Sequence, residues 1–316
     1  MILGKLEQMT EYRRVNFAIL ALMSIFLQEK SSNSILSPFL SPPMSSKTRI
    51  LFVSHEMNPY LQISEIAQAA LQLPKSMQEQ GMEIRVLMPR YGSINERKHR
   101  LHEVVRLSGI NIVIGDTDNP LIIKVASLPQ ARMQVYFLDN EDYFHRKHGI
   151  RDDKGKFFAD NHERMIFFSK GVLETIVKLG WAPDIVHCNG WMTSLIPLYI
   201  RRYYRHTAVF GQTKVVYSVH PPQFKEKLGK DLVAKAKIEM VSETDLQGLG
   251  TLEETALHQL AIAHADAVSY QESVVEAYPH ADPAVPHAVF TYDNLVEAHQ
   301  GLYQNILQAV SETVNS

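Results

Sequence analysis

A single cysteine, Cys188, excludes an internal disulfide and points to a reducing compartment, the cytoplasm. Net charge is just as scarce. Thirty-two Lys and Arg against 34 Asp and Glu leave a formal charge of -2. That is too little for the broad positive field that nucleic acid or an anionic membrane surface demands. The Arg201, Arg202 and Arg205 cluster is a local exception, read as a solvated helix face. No CxxC pair, HExxH or EF-hand loop occurs, so no metal is expected. No G-x-G-x-x-G follows the first strand, which argues against a dinucleotide enzyme. The apolar run Val15 to Leu27, preceded by Arg13 and Arg14, falls short of the roughly 20 residues of a membrane span. It has the charge and length of a signal-peptide core, yet no small-x-small cleavage site follows it. Residues 1–46 are therefore expected to be a leader or a mis-assigned start, outside the fold, and no stable membrane span is expected.

What is present suits a globular α/β protein. Hydrophobic residues make up 45% of the chain, enough for a sizeable core. The run Arg49 to Ser54 reads as a buried parallel strand. Ile63, Ile66, Ala67, Ala70 and Leu71 then recur at helical spacing, with Pro74 expected to kink or restart the helix. Gly81 closes it, and Glu83 to Met88 reads as the next strand. From Leu101 to Asp139, short runs between turn signals predict hairpin strands, the last of them joining the main sheet. Beyond Asp160 the order is helix to Leu179, strand Asp184–Cys188, helix Trp191–Tyr204 and strand Lys214–Val219. A charged surface excursion follows from Lys225 to Gly250, then a helix Leu252–His264, a strand Ala267–Ser269, and helices to the end. Alternation of this kind builds a mostly parallel sheet with helices on both faces. Its ligands bind beyond the carboxyl ends of the strands, after Ser54, His187 and Val219.

Those segments carry a family likeness. His55-Glu56-Met57-Asn58-Pro59-Tyr60 resembles the E-x-x-P-Y opening of glycogen and starch synthases, glycosyltransferase family five. Gln80 to Gly92 is similar to their G-x-E-V-R-V-V-M-P-R-Y-G stretch. Asp160-Asn161-His162-Glu163-Arg164, with Phe167 and Phe168, resembles their D-N-x-x-R-F-x-x-F helix. Trp181 to Cys188, then Trp191 and Pro197-Leu198-Tyr199, resembles W-x-P-D-I-I-H-C-H-D-W … P-L-Y. Val216 to His220 and His264 to Tyr270 complete six motifs in order. The resemblance implies a Rossmann-like fold, the amino-terminal half of a two-domain GT-B glycosyltransferase, over residues 47–290, with residues 291–316 as a helix packed on it. About 38 residues follow Tyr278, too few for a second such domain, so the nucleotide-sugar half is expected to be absent.

The same resemblance implies glucosyl transfer to an α-1,4-glucan from ADP-glucose, with no further cofactor, and a second polypeptide as the source of the donor domain. An alternative is a non-catalytic relative that binds glucan or a protein partner. Transfer leaves a diphosphate, whose charge the family meets with a Lys-x-Gly-Gly-Leu loop. Gln62, Ile63, Ser64, Glu65 and Ile66 stand at those positions, so the lysine and both glycines are replaced. His-Cys-His-Asp-Trp is represented by His187-Cys188-Asn189-Gly190-Trp191, with Gly190 in place of the carboxylate. His220 matches the histidine near the donor sugar and is the candidate catalytic residue. Gln62, Ser64, Glu65, Asn161, Arg164, His187, Asn189 and Trp191 are the candidate substrate-binding residues. Structural roles compete for several of them: a buried tryptophan at a helix start, a strand-end histidine, and an Asp160 helix cap. Cys188, in a buried strand, is expected to be an inert thiol.

Overall fold

The computed structural model describes residues 47–314, apart from 129, 130, 132 and 279–283; the leader read over 1–46 lies outside the described residues. The first strands are β1 Arg49–Ser54, β2 Glu83–Pro89, β3 His102–Glu103, β4 Ile110–Ile114, β5 Thr117–Leu128 and β6 Met133–Asp139. β7 Ile185–Asn189, β8 Lys214–Val219, β9 Ala267–Gln271 and β10 His287–Phe290 follow. They form one sheet in the order β10-β9-β8-β7-β1-β2-β6-β5-β3, with β4 paired to β5. From β10 to β6 every pairing is parallel, and β5, β3 and β4 extend the sheet antiparallel.

The central strands are covered on both faces, which is why they read as continuous apolar runs rather than alternating ones. All five residues of β7 and all five of β9 are buried. In register, Phe52 pairs with Val86 on one side and His187 on the other. The covering helices are α1 Ile66–Glu79, α2 Asn161–Leu179, α3 Leu195–Arg202, α4 Glu254–His264 and α5 Leu295–Val314. α2 stops at Gly180, whose φ of 65° supplies the left-handed cap that residues with a Cβ resist. α5 packs on α1, β9 and β10. No helix among the described residues is long and apolar enough to cross a membrane.

Four readings need correction. Of the two outcomes expected at Pro74, the restart is ruled out: α1 continues to Glu79 with Pro74 buried inside it, giving up the N–H owed to the Ala70 carbonyl. One of the turn signals between Leu101 and Asp139, the run Asp116 to Pro120, lies all but its first residue within the 12-residue β5. The turn sits at Gly115, with φ 57°, and Asn119 Nδ2 instead bonds the carbonyls of Ile112 and Thr117. The segment after Trp191 is a 3-10 turn, Trp191–Thr193, before α3 begins. Finally β10, four residues long, is an edge strand where only helix was expected.

Candidate active site

Because β1, β7 and β8 are parallel neighbours, their carboxyl ends bring Ser54, Asn189 and Ser218 into one row. His55 and Glu56 leave β1, Gly190 and Trp191 leave β7, and His220 leaves β8. Gly190 has φ 72° and ψ 179°, a conformation open essentially only to glycine. A Cβ there would stand 3.2 Å from Ile66 Cδ1 and 3.4 Å from His55 Cε1. The carboxylate that the family carries here, replaced by Gly190, would be strained by this backbone conformation.

The turn between β1 and α1 is closed by its own side chains. Glu56, fully buried, accepts from the N–H groups of Ile63 (2.6 Å) and Ser64 (2.7 Å) through Oε2. Its Oε1 accepts from Ser64 Oγ at 2.6 Å and from Gln223 Nε2 at 3.0 Å. Gln223 Nε2 also reaches Ser64 Oγ, at 3.1 Å. On the other side of the same amide, Oε1 accepts from Trp191 Nε1 at 3.0 Å and lies 2.9 Å from His55 Nε2. That assigns the Nε2–H tautomer to His55. Burial alone would raise the Glu56 carboxyl, but His55 and the Ser64 hydroxyl and N–H outweigh it and hold it at about 2. Glu56 is therefore ionised across the physiological range.

Gln223 is held in turn. Its backbone N–H and that of Phe224 both donate to the buried Glu254 Oε2, at 2.8 and 2.9 Å. Phe224 stands edge-on over Trp191, ring centroids 5.1 Å apart. Trp191 has no exposed surface, so a sugar could meet its ring only if the side chains packed on it, His55 and Phe224 among them, moved. Gln62 and Glu65 are exposed on the outer side of the turn, and Ser64 is half-buried.

His220 differs from all of these. It is 1% exposed, lies between Phe290 and Tyr292, and its Nδ1 is 3.4 Å from Tyr292 Oη. Its Nε2 has no hydrogen-bond partner. Burial, then the neighbouring His299, His258 and His55, push it down to about 3 against the pull of Glu56, so the ring is neutral at physiological pH.

Three candidates stand apart from this row. His187 turns to the face covered by α5, where Ser218 Oγ (2.6 Å) and the Tyr303 hydroxyl hold its two nitrogens. Asn161 Nδ2 donates to Ile150 O at 2.9 Å, and its Oδ1 accepts from Arg164 Nη1 at 2.8 Å. Arg164, fully buried, donates to the carbonyls of Tyr143 and Gly149. The pair thereby braces residues 143–150, and Gly149 lies so close to Ile63 that a Cβ would meet its Cδ1 at 2.4 Å. They position the turn from behind. Asn189 is buried at the end of β7. The thiol of Cys188 is buried and pushed well above its usual range.

The residues missed from sequence are those that close the site: Glu56, Gln223, Glu254 and Tyr292. Glu56 had a signal, as the first carboxylate after β1 within E-x-x-P-Y. Gln223 had none, since its partners lie more than 30 positions away.

Comparison with known proteins agrees with this architecture. Residues 49–275 match the family model of the starch synthase catalytic domain. A glycogen synthase from Chlorobium luteolum is 38% identical over 234 residues, covering 71% of this chain and 48% of the relative. One from Pelodictyon phaeoclathratiforme is 34% identical over 267 residues, covering 83% and 53%. The chain thus spans about half the length of the curated relatives it matches. Among solved structures, the catalytic domain of Arabidopsis thaliana starch synthase IV, bound to ADP and acarbose, superposes with a TM-score of 0.60. It shares 15% identity, with coverage of 71% of this chain and 45% of that one, and so supports the fold.

Proposed function

The chain belongs to the starch synthase catalytic-domain family, and from that membership we propose that it is of the α-1,4-glucan glucosyltransferase class but transfers no glucose by itself. ADP-glucose and an α-glucan are its substrates in this reading, met only together with a second polypeptide that holds the donor. The observation that carries it is the closed turn after β1. Ser64, at a position where the resemblance implies glycine, bonds Glu56 through both its N–H and its hydroxyl, and Gln223 locks the pair.

Glucosyl transfer builds negative charge on a departing diphosphate, and catalysis needs preorganised donors or cations where that charge appears. Here the Ile63 and Ser64 N–H groups already serve a carboxylate. A phosphate brought within about 4 Å of ionised Glu56 would meet a repulsion of ~4 kcal/mol at an effective dielectric of about 20. Gln62 supplies no positive charge, Glu65 adds a carboxylate, and the neutral His220 contributes none. The second polypeptide must bring the cations.

A non-catalytic, glucan-binding role is the second reading, favoured by the unpartnered His220 Nε2. Incorporation of radiolabelled ADP-glucose into glycogen by the purified chain tests the first. No incorporation above the protein-free control is expected, and turnover lost in His220→Ala would overturn it. Thermal stabilisation by maltooligosaccharide without incorporation would select the second reading.

A further inference from the structure

At the amino-terminal turn of α2, remote in sequence from the turn after β1, His162 and Glu163 face Asp231 of the 225–250 excursion. His162 Nε2 is 2.8 Å from Asp231 Oδ1 and 3.8 Å from Glu163 Oε1. One ligand atom from each of the three residues falls within 4.8 Å of the others. His162 is 3% exposed, yet neither of its ring nitrogens makes a hydrogen bond. So the Asp231 oxygen, although close, lies off the axis along which Nε2 could bond it. A carboxylate oxygen beside an imidazole nitrogen but off its axis is how two ligands of one ion stand to each other. Ligand atoms around 2.0–2.2 Å from a tetrahedral ion are themselves about 3–3.5 Å apart.

A cation already stands among these oxygens. Lys235 Nζ is 2.9 Å from Glu163 Oε1 and 2.6 Å from Asp231 Oδ2. It is a point charge on a flexible stem, and the cavity it lines, about 480 Å³ with Asn111, Lys170 and Tyr203, gives it room to withdraw. Supporting contacts surround the ligands. The Tyr143 hydroxyl donates to Glu163 Oε2 at 3.0 Å, which orients the carboxylate as outer partners of metal ligands do. Gly229 presses on the His162 ring so closely that a Cβ would stand 2.2 Å from its Cε1. Asp231 is the exposed member, so an ion can enter from solvent.

We propose that His162, Glu163 and Asp231 form a binding site for a divalent transition-metal ion of the zinc type, with Lys235 as the resident cation that the ion displaces. One imidazole and two carboxylates, with water as a fourth ligand, suit Zn²⁺ and exclude a soft-metal site. The ion would pin the 225–250 excursion to α2, and through Gln223 and Phe224 that excursion continues into the closed turn.

Titration of the full chain with Zn²⁺, and with Co²⁺ as a spectroscopic probe, tests this. The expected result is one ion per chain and the visible absorption of tetrahedral Co²⁺. Asp231→Asn, at an exposed position, should weaken binding at least tenfold and remove the Co²⁺ band, with circular dichroism unchanged. Lys235→Met should tighten binding at least tenfold, because the competing charge is gone. The proposal is overturned if neither the wild type nor Lys235→Met binds at millimolar ion, or if His162→Ala and Asp231→Asn bind as the wild type does.

Discussion

Two neighbouring regions of the sheet treat buried polarity in opposite ways. The turn after β1 is built around one satisfied charge: Glu56 is ionised, bonded through both oxygens, and held at about 2. The face beneath α5 and the end of β8 gather histidines and keep them neutral. His299 is pushed down to about 4 by burial, His220 to about 3, and His187 well below its usual value. His299 bonds Leu295 O and Ser269 Oγ, and His187 bonds Ser218 and Tyr303, so this polarity is spent on docking a helix. Of these three, His220 is the one that keeps a ring nitrogen, Nε2, without a partner. The lesson is that a strand-end residue is a ligand candidate when its bonds are incomplete, not simply because of where it sits.

Acid should separate the two regions, and with the largest effect. The three histidines are neutral when folded and protonated when unfolded between their depressed folded values and the usual 6.5. Stability is then full above pH 6.5 and falls as pH drops toward 4, by about 1.4 kcal/mol per pH unit for each histidine. Glu56 acts lower down. Its folded value of about 2 lies below the usual 4.5, so its contribution is intact above about pH 5 and disappears as pH falls through 2. Urea unfolding at stepped pH should show the histidine slope first. His299→Gln should remove about one proton's worth of it, and an unchanged slope would break the comparison.

Glu56→Ala is next. It strands the N–H groups of Ile63 and Ser64, the Ser64 hydroxyl and the Gln223 amide. A loss of about 3–5 kcal/mol in urea-unfolding stability is expected. On the histidine side, Tyr303→Phe removes one hydrogen bond to His187 and should cost about 1–2 kcal/mol by the same measurement. His220→Leu should be the smallest, under about 1 kcal/mol, because Nε2 has no bond to lose and the one from Nδ1 to Tyr292 Oη is long, at 3.4 Å. A loss comparable to that of Glu56→Ala would show that His220 is built into the framework rather than left for a ligand.

The strands were legible because burial on both faces leaves a continuous apolar signature, and Lys214–Val219 was bounded correctly from sequence. β10 was not: a four-residue edge strand carries too little pattern, and its only strand pairing among the described residues is with β9. Pro74 does not restart the helix because packing outweighs local propensity, the proline being buried within α1. In the site, residue types at strand ends could be named but not their direction. His187 and His220 are both strand-end histidines, and only the placement of α5 and Tyr292 distinguishes one locked from both sides from one with a free nitrogen. Gln223, which ties three segments together, is specified wholly by long-range contacts.

The most direct measurement is an amide NMR titration of the chain with ADP-glucose, observing Ile63 and Ser64. With both N–H groups held by Glu56, neither resonance should move at millimolar ligand. A saturable shift of either one would mean that phosphate reaches the turn, and that it is open where it is described as shut.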